Sequence, residues 1–237
     1  MNMTITWLGM AAMLWLGIKF YSGFKKGFLK AMVSLLFSLG SLILVWMVNP
    51  YVTDFLKSNQ TVYTTVHRFS EDVVEKTIQN SRSLQSDARD NLVNGLPLPK
   101  IIKDKILKDN TQDMYQYFNV SNFKQYVIEY LTEFLIKGIA FLISYFVIAL
   151  AFSFLGGALD LMAKLPLIHG ANKLLGGALG FASGLIVVWI VLLVITLLYN
   201  TSVGKYFLDL ISKDLVVSYL YDTDVLIRIF MSVFAPK

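Results

Sequence analysis

The 237-residue sequence contains no cysteine, and this absence limits its chemistry. It excludes a disulfide framework, a thiolate nucleophile and a cysteine-ligated metal site. Charge is also scarce, because Asp, Glu, Lys and Arg make up only 16% of the residues, against roughly 25% in a soluble domain. A chain that is 56% hydrophobic with so little charge is typical of a membrane protein.

Four windows contain no charged residue at all: residues 1–18, 31–53, 138–159 and 174–204. A helix that spans a bilayer needs about 20 predominantly apolar residues. The first window is the shortest, and Lys19 can extend it by placing its amine among the lipid headgroups. We therefore predict an all-α, polytopic membrane protein with four transmembrane helices in two hairpins. A cleaved signal peptide is disfavoured, because basic residues follow the first window instead of preceding it.

The positive charge is concentrated where the first two predicted helices meet. This loop carries four lysines and no acidic residue, namely Lys19, Lys25, Lys26 and Lys30. Short cytoplasmic loops are enriched in Lys and Arg, so we predict that these lysines determine the topology and face the cytoplasm. The loop around residues 160–175, with Lys173, is predicted to lie on the same side. Both termini are then outside.

These windows divide the chain into four segments. Residues 1–53 form the first hairpin, 54–135 an external polar segment with amphipathic helices, 136–200 the second hairpin and 201–237 C-terminal amphipathic helices. The external segment is so polar that we expect only a thin core.

In the C-terminal segment, the helical spacing predicts two helices. It places Asp214 on the polar face of the first. Asp222 or Thr223 is predicted to cap a short apolar helix that is tucked or interfacial.

Glycines recur at one-turn spacing in both hairpins. Gly23 and Gly27 precede the second helix, while one face of the fourth helix carries Gly176, Gly180 and Gly184. Small residues let helices approach closely in lipid, so these positions are predicted packing sites. The spacing leaves open whether the partner is another helix of this chain or a second copy.

Asn172 precedes this glycine stripe. Asparagine is favoured at helix N-caps, which predicts that Asn172 caps the fourth helix. The alternative is a role in a cytoplasmic surface that binds a partner.

The sequence offers little for catalysis. An ionisable residue deep in a membrane helix would suggest a functional site. The sequence shows none, because Lys30, Lys137 and Asp160 all fall near the ends of the predicted helices. His67 and His169 lie in different compartments on the predicted topology and cannot share a metal. We therefore predict that the protein is not an enzyme and has no catalytic residue, no bound cofactor and no metal site.

Two stretches resemble the hairpins of the colicin V production protein (CvpA) family. They are "YSGFKKGF", followed by an apolar helix ending in "VNPYV", and "GANKLLGGALGFASGLIVVWIVLL". The resemblance covers residues 4–48 and 136–200. The matching positions are Gly23, Lys26, Gly27, Phe28, Asn172, Lys173, Gly176 and Gly180. The family implies a multi-pass protein of the bacterial cytoplasmic (inner) membrane that is needed for colicin V production and linked to envelope integrity.

The leading functional hypothesis is therefore a non-enzymatic role in colicin or bacteriocin production or secretion and in envelope homeostasis. The alternative is a small oligomeric transporter or channel. The predicted partners are the lipid bilayer and either further copies of the chain, in a homo-oligomer, or other membrane proteins. Nucleic acid is not expected, because the net charge of +5 does not come from a basic soluble domain.

Overall fold

The computed structural model describes residues 4–81, 88–98, 100–159 and 171–233. Within these ranges the chain is α-helical, apart from turns and one isolated bridge between Thr4 and Asp214. The helices are α1 Trp7–Lys26, α2 Phe28–Ser58, α3 Gln60–Ser81, α4 Ala88–Gly95, α5 Lys100–Lys108, α6 Gln112–Tyr117, α7 Phe123–Leu159, α8 Ala171–Leu197, α9 Ser202–Lys213, α10 Leu215–Asp222 and α11 Val225–Val233. The predicted all-α class is confirmed for the described residues.

Three helical segments are long and apolar enough to cross a membrane. They are Phe28–Ser58, Phe123–Phe152 and Asn172–Leu197. Helix α1, with 20 residues, is not one of them. Three of the four predicted spans thus have a matching helix, and the span at α1 stays a prediction.

The four long helices form two antiparallel pairs. Helices α2 and α7 run in opposite directions, since the rings of Phe37 and Phe152 lie 5.2 Å apart between centroids, while Lys57 contacts Glu133. Helix α1 is antiparallel to α8, since Gly23 contacts Gly176 near the start of α8 while Leu8 packs in a cluster with Ile195 near its end. Helix α2 also packs on α8 and so joins the two pairs.

Helices α2 and α7 have 31 and 37 residues, more than a membrane span needs. The first half of α7 packs with α3–α6 around a core in which many side chains are fully buried. These include Val74, Val93, Ile102, Ile106, Val127, Tyr130 and Leu131. The expectation of a thin core was wrong, because residues 123–135 of the external segment form the first part of α7 and bury apolar side chains against α3–α6. The predicted boundary between residues 135 and 136 falls inside this helix.

The C-terminal segment forms three helices instead of the predicted two. A break at Asp214, with φ −94° and ψ 127°, separates α9 from α10. Asp224 caps α11, where its Oδ1 accepts a hydrogen bond from Ile227 N at 3.0 Å. The predicted caps Asp222 and Thr223 were therefore wrong by one or two residues. Helix α11 is tucked, with Phe230 edge-on to Phe134 at 5.6 Å.

Candidate functional site

The predicted packing glycines meet each other where α1 crosses α8. A Cβ atom placed on Gly23 would overlap the carbonyl oxygen of Gly176 and lie 2.9 Å from the Cα of Gly180. A Cβ on Gly176 would in turn lie 2.9 Å from the Cα of Gly27. The two backbones are in direct contact, and no residue larger than glycine fits without separating the helices. We call Gly23, Gly27, Gly176 and Gly180 the glycine seam.

Gly184 continues this contact by one more turn. A Cβ there would lie 2.9 Å from the Cβ and Cγ of Lys19. The indole Nε1 of Trp15 donates a hydrogen bond of 3.3 Å to the carbonyl oxygen of Gly184. Between the two partners left open by the sequence, the structure places the α8 glycines against a helix of the same chain.

Asn172 lies at the end of the glycine seam and acts on a neighbouring helix. It is the second residue of α8, and its Oδ1 accepts a hydrogen bond of 2.7 Å from Phe28 N. Phe28 is the first residue of α2 and has no intrahelical acceptor for its N–H. The side chain therefore caps α2, whereas the spacing had predicted a cap of its own helix.

Gly27 makes this arrangement possible. Its φ of +77° lies in the left-handed region, which L-amino acids with a side chain rarely adopt. A Cβ here would also lie 3.0 Å from Nδ2 of Asn172. The tight junction between α1 and α2 thus needs glycine for its backbone conformation and for space.

The predicted topology lysines collect around the same end of the bundle. Lys25 and Lys26 end α1, Lys30 is in the first turn of α2 and Lys173 is in the first turn of α8. Lys19 is nearly two turns inside α1, where its ammonium lies 4.7 Å from the centre of the Trp15 ring. The rest of the second basic loop, residues 160–170, lies outside the described residues.

The opposite end of α1 is attached to the C-terminal segment. Asp214 is fully buried, and its Oδ2 accepts hydrogen bonds from Thr6 N at 2.6 Å and Thr6 Oγ1 at 2.7 Å. Its Oδ1 accepts from Val216 N and Val217 N, both at 2.9 Å. Asp214 therefore caps α10 and holds the first residue before α1. Its predicted place on an exposed polar face was wrong.

These hydrogen bonds decide the charge state of Asp214. Burial alone would raise the pKa of the carboxyl group. The four donated hydrogen bonds outweigh burial and hold the pKa of Asp214 below its ordinary value. The Asp214 side chain is therefore ionised near neutral pH. We call Asp214 and its hydrogen bonds to Thr6, Val216 and Val217 the Asp214 clasp. A signal for it exists in the sequence, since Asp before an apolar run is a common N-cap.

A polar network lies near the far end of α2, where sequence reasoning had predicted no site. The buried Glu133 accepts from Lys57 Nζ at 2.7 Å and forms an ion pair with Lys137 at 2.9 Å. One turn earlier, Glu129 contacts His67 Nε2 at 3.0 Å and accepts from the Tyr63 hydroxyl at 3.0 Å.

The network ties α7 to α2 and α3. Burial, followed by the nearby Glu129 carboxylate, raises the pKa of Tyr63 to about 12.

Among the described residues, no group of three or more His, Cys, Asp or Glu side chains could hold a metal ion. The Glu133–Lys137 pair has the i, i+4 spacing that a sequence can show. The contacts to Lys57, Tyr63 and His67 join residues 76, 66 and 62 positions apart, so spacing gives no signal for them.

Comparison with known proteins gives one match. Residues 115–219, which are less than half of the chain, match the family model described as colicin V production protein. The predicted resemblance to this family is confirmed. No curated protein and no solved structure matches the chain.

Only part of the glycine seam lies within the range that matches the family model. Asn172, Gly176 and Gly180 lie inside the matched range, whereas Gly23 and Gly27 lie before it. The structure joins the two groups, because Gly23 touches Gly176 and Gly180, and Gly27 touches Gly176 and Asn172. The first hairpin therefore packs directly on the part of the chain that matches the family model.

Proposed function

We propose that this chain is a non-enzymatic, multi-pass protein of the bacterial cytoplasmic membrane that supports colicin or bacteriocin production or secretion and envelope homeostasis. The family match to residues 115–219 supports the role in colicin V production. The three long apolar helices support the membrane location. In this proposal the protein acts as a helical scaffold that binds other membrane proteins or further copies of itself.

The observation that carries the proposal is the attachment of α1 to both ends of α8. Near one end Gly23 packs on Gly176, and near the other Thr6 is bound to Asp214, which follows α8 by way of α9. If α8 crosses the membrane, α1 must cross with it. Its 20 residues reach about 30 Å, which is the thickness of the hydrocarbon core. We propose α1 as the fourth span on this basis.

The outer surface of α1 fits the same proposal. Met10, Leu14, Ile18 and Tyr21 are each more than half exposed and recur at helical spacing. A contiguous apolar stripe on a water-facing helix would be unfavourable. Facing lipid, the stripe is stabilised by the bilayer.

The orientation of the protein in the membrane is proposed from the position of its lysines. Lys25, Lys26, Lys30 and Lys173 lie at one end of the bundle, and cytoplasmic ends of membrane helices are enriched in Lys and Arg. We propose that this end is cytoplasmic. The body formed by α3–α6, the C-terminal helices and both termini are then outside.

A transporter or channel is the second candidate, and a specific observation favours it. Asn49 Oδ1 and Thr53 Oγ1 on α2 and Ser144 Oγ on α7 are buried without a hydrogen-bond partner among the described residues. Buried polar atoms normally have partners. Water or a solute between α2 and α7 would satisfy them.

A deletion strain tests the leading proposal. We expect deletion in the native bacterium to reduce secreted bacteriocin or increase sensitivity to envelope stress. Complementation should succeed with wild type and Ser38→Ala and fail with Gly180→Leu at equal membrane abundance. Solute flux into liposomes that requires Asn49 and Thr53 would instead favour the second candidate.

A further inference from the structure

A cavity of about 440 Å³ lies where the start of α5 faces the turn between α10 and α11. Five charged side chains line it: Lys100 and Asp104 from α5, Asp222 from the end of α10, Asp224 from the turn and Arg228 from α11. Cavities that hold small ligands typically measure about 300–1,000 Å³. Neither the glycine seam nor the Asp214 clasp uses any of these groups.

Asp224 is the most unusual of the five. Its side chain is 1% exposed, and Oδ1 is occupied by the N–H of Ile227. Its Oδ2 is buried and accepts no hydrogen bond from any described residue. Burial raises the pKa of Asp224 to about 7, in spite of the helix-capping hydrogen bonds. A carboxylate oxygen in this position lacks the cation or donor that would stabilise it.

The other charges around the cavity do not supply that cation. Arg228 donates through Nη2 to the backbone carbonyl of Asp222 at 3.0 Å. Among the described residues, no ion pair joins Lys100 or Arg228 to Asp104, Asp222 or Asp224. Opposite charges are thus held apart across one cavity. A ligand that carries both charges would join them.

We propose that this cavity binds a small zwitterion, with a primary ammonium against Asp224 and Asp222 and an anionic group against Lys100 and Arg228. An ammonium has three donors and can satisfy the free Asp224 oxygen while also reaching Asp222. The anionic group would be a phosphate or carboxylate, which guanidinium binds well. Phosphoethanolamine has this chemistry.

Two sources can supply such a group: a free metabolite or a lipid headgroup. Leu226, two residues after Asp224, belongs to a buried cluster with Ile186 and Ile190 of α8. The cavity therefore lies beside a helix that can cross the membrane. The site does not depend on the proposed role in bacteriocin production.

Calorimetric titration of the purified full chain in detergent with O-phosphoethanolamine tests the proposal. We expect saturable binding that falls at least tenfold in Asp224→Asn, whose side-chain oxygen still caps α11. Arg228→Gln should also weaken it. Asp209→Asn is the matched control, because Asp209 is an exposed acid on α9 that pairs with Lys213 outside the cavity. Ethanolamine and inorganic phosphate, which each carry charge of only one sign, should bind at least tenfold more weakly.

Nanodiscs distinguish the two sources. Phosphatidylethanolamine should raise the unfolding temperature above that in phosphatidylglycerol for wild type but not for Asp224→Asn if a headgroup occupies the site. Binding of the free compound without this lipid effect assigns the site to a metabolite. Absence of both effects, or equal effects in wild type and Asp224→Asn, would refute the proposal.

Discussion

Asn172 and Phe28 are 144 residues apart in sequence, and the Oδ1 of Asn172 accepts the N–H of Phe28 at 2.7 Å. This hydrogen bond joins a residue inside the range that matches the family model to the beginning of α2. The N–H would otherwise be one of the unpaired donors at a helix start.

Loss of this hydrogen bond should destabilise the bundle. We expect Asn172→Ala to lower the free energy of unfolding by about 0.5–2 kcal/mol, the usual cost of removing an N-terminal cap. Asn172→Asp keeps an acceptor and places a negative charge near a helix N-terminus, so it should cost less. Thermal unfolding in detergent measures both variants. Equal losses of stability in Asn172→Ala and Asn172→Asp would show that the hydrogen bond to Phe28 N does not contribute.

The glycine seam predicts opposite results for one added methyl group at two positions on α1. Gly23→Ala should destabilise, since its Cβ would overlap the Gly176 carbonyl oxygen. Gly17 has open space around its Cα, so Gly17→Ala should stabilise by about 0.5–1 kcal/mol through helix propensity alone. Unfolding temperatures of the two variants in one detergent provide the comparison. Stabilisation by Gly23→Ala would contradict the close contact between α1 and α8.

The helical class, the glycine spacing and three long apolar helices were predictable, because each depends on local pattern. The hydrogen bond between Asn172 and Phe28 was not, because the acceptor and its donor belong to different hairpins. Asp214 was misplaced for another reason. Periodicity extends α9 past Lys213 and puts Asp214 on a polar face, whereas the backbone breaks there and turns the carboxylate inward. The thin core was a wrong inference from composition. Residues 123–135 had been counted as part of the polar external segment, yet they supply the buried side chains Val127, Tyr130 and Leu131 to its core.

Asp214 should make the protein sensitive to acid. Its pKa is lowered in the folded state, so its contribution to stability is complete above the unfolded-state pKa of about 3.9. That contribution is lost as the pH falls through the lower, folded-state pKa. Asp214→Asn should therefore be less stable than wild type at pH 7, and the difference should shrink below pH 4.

The control for this acid dependence is Asp209→Asn, an exposed acid in an i, i+4 pair with Lys213. It should change stability little at either pH, because exposed ion pairs contribute about 0–1 kcal/mol. Chemical unfolding at pH 7 and at pH 3.5 measures all three proteins. If Asp214→Asn and Asp209→Asn behaved alike, the clasp would not contribute.

Labelling of single cysteines tests the four-span topology directly. The natural chain has no cysteine, so each introduced thiol is the only one present. Ile5→Cys lies before α1, Lys26→Cys ends it and Asp113→Cys is exposed on α6. In intact cells, an impermeant maleimide should label positions 5 and 113, whereas position 26 should react only after permeabilisation. Positions 5 and 26 are expected on opposite sides because the two ends of α1 are held near opposite ends of α8. Thr6 is bound to Asp214 near one end, and Gly23 packs on Gly176 near the other. Reaction of positions 5 and 26 from the same side would show that α1 does not cross, and reaction of position 26 alone in intact cells would invert the topology.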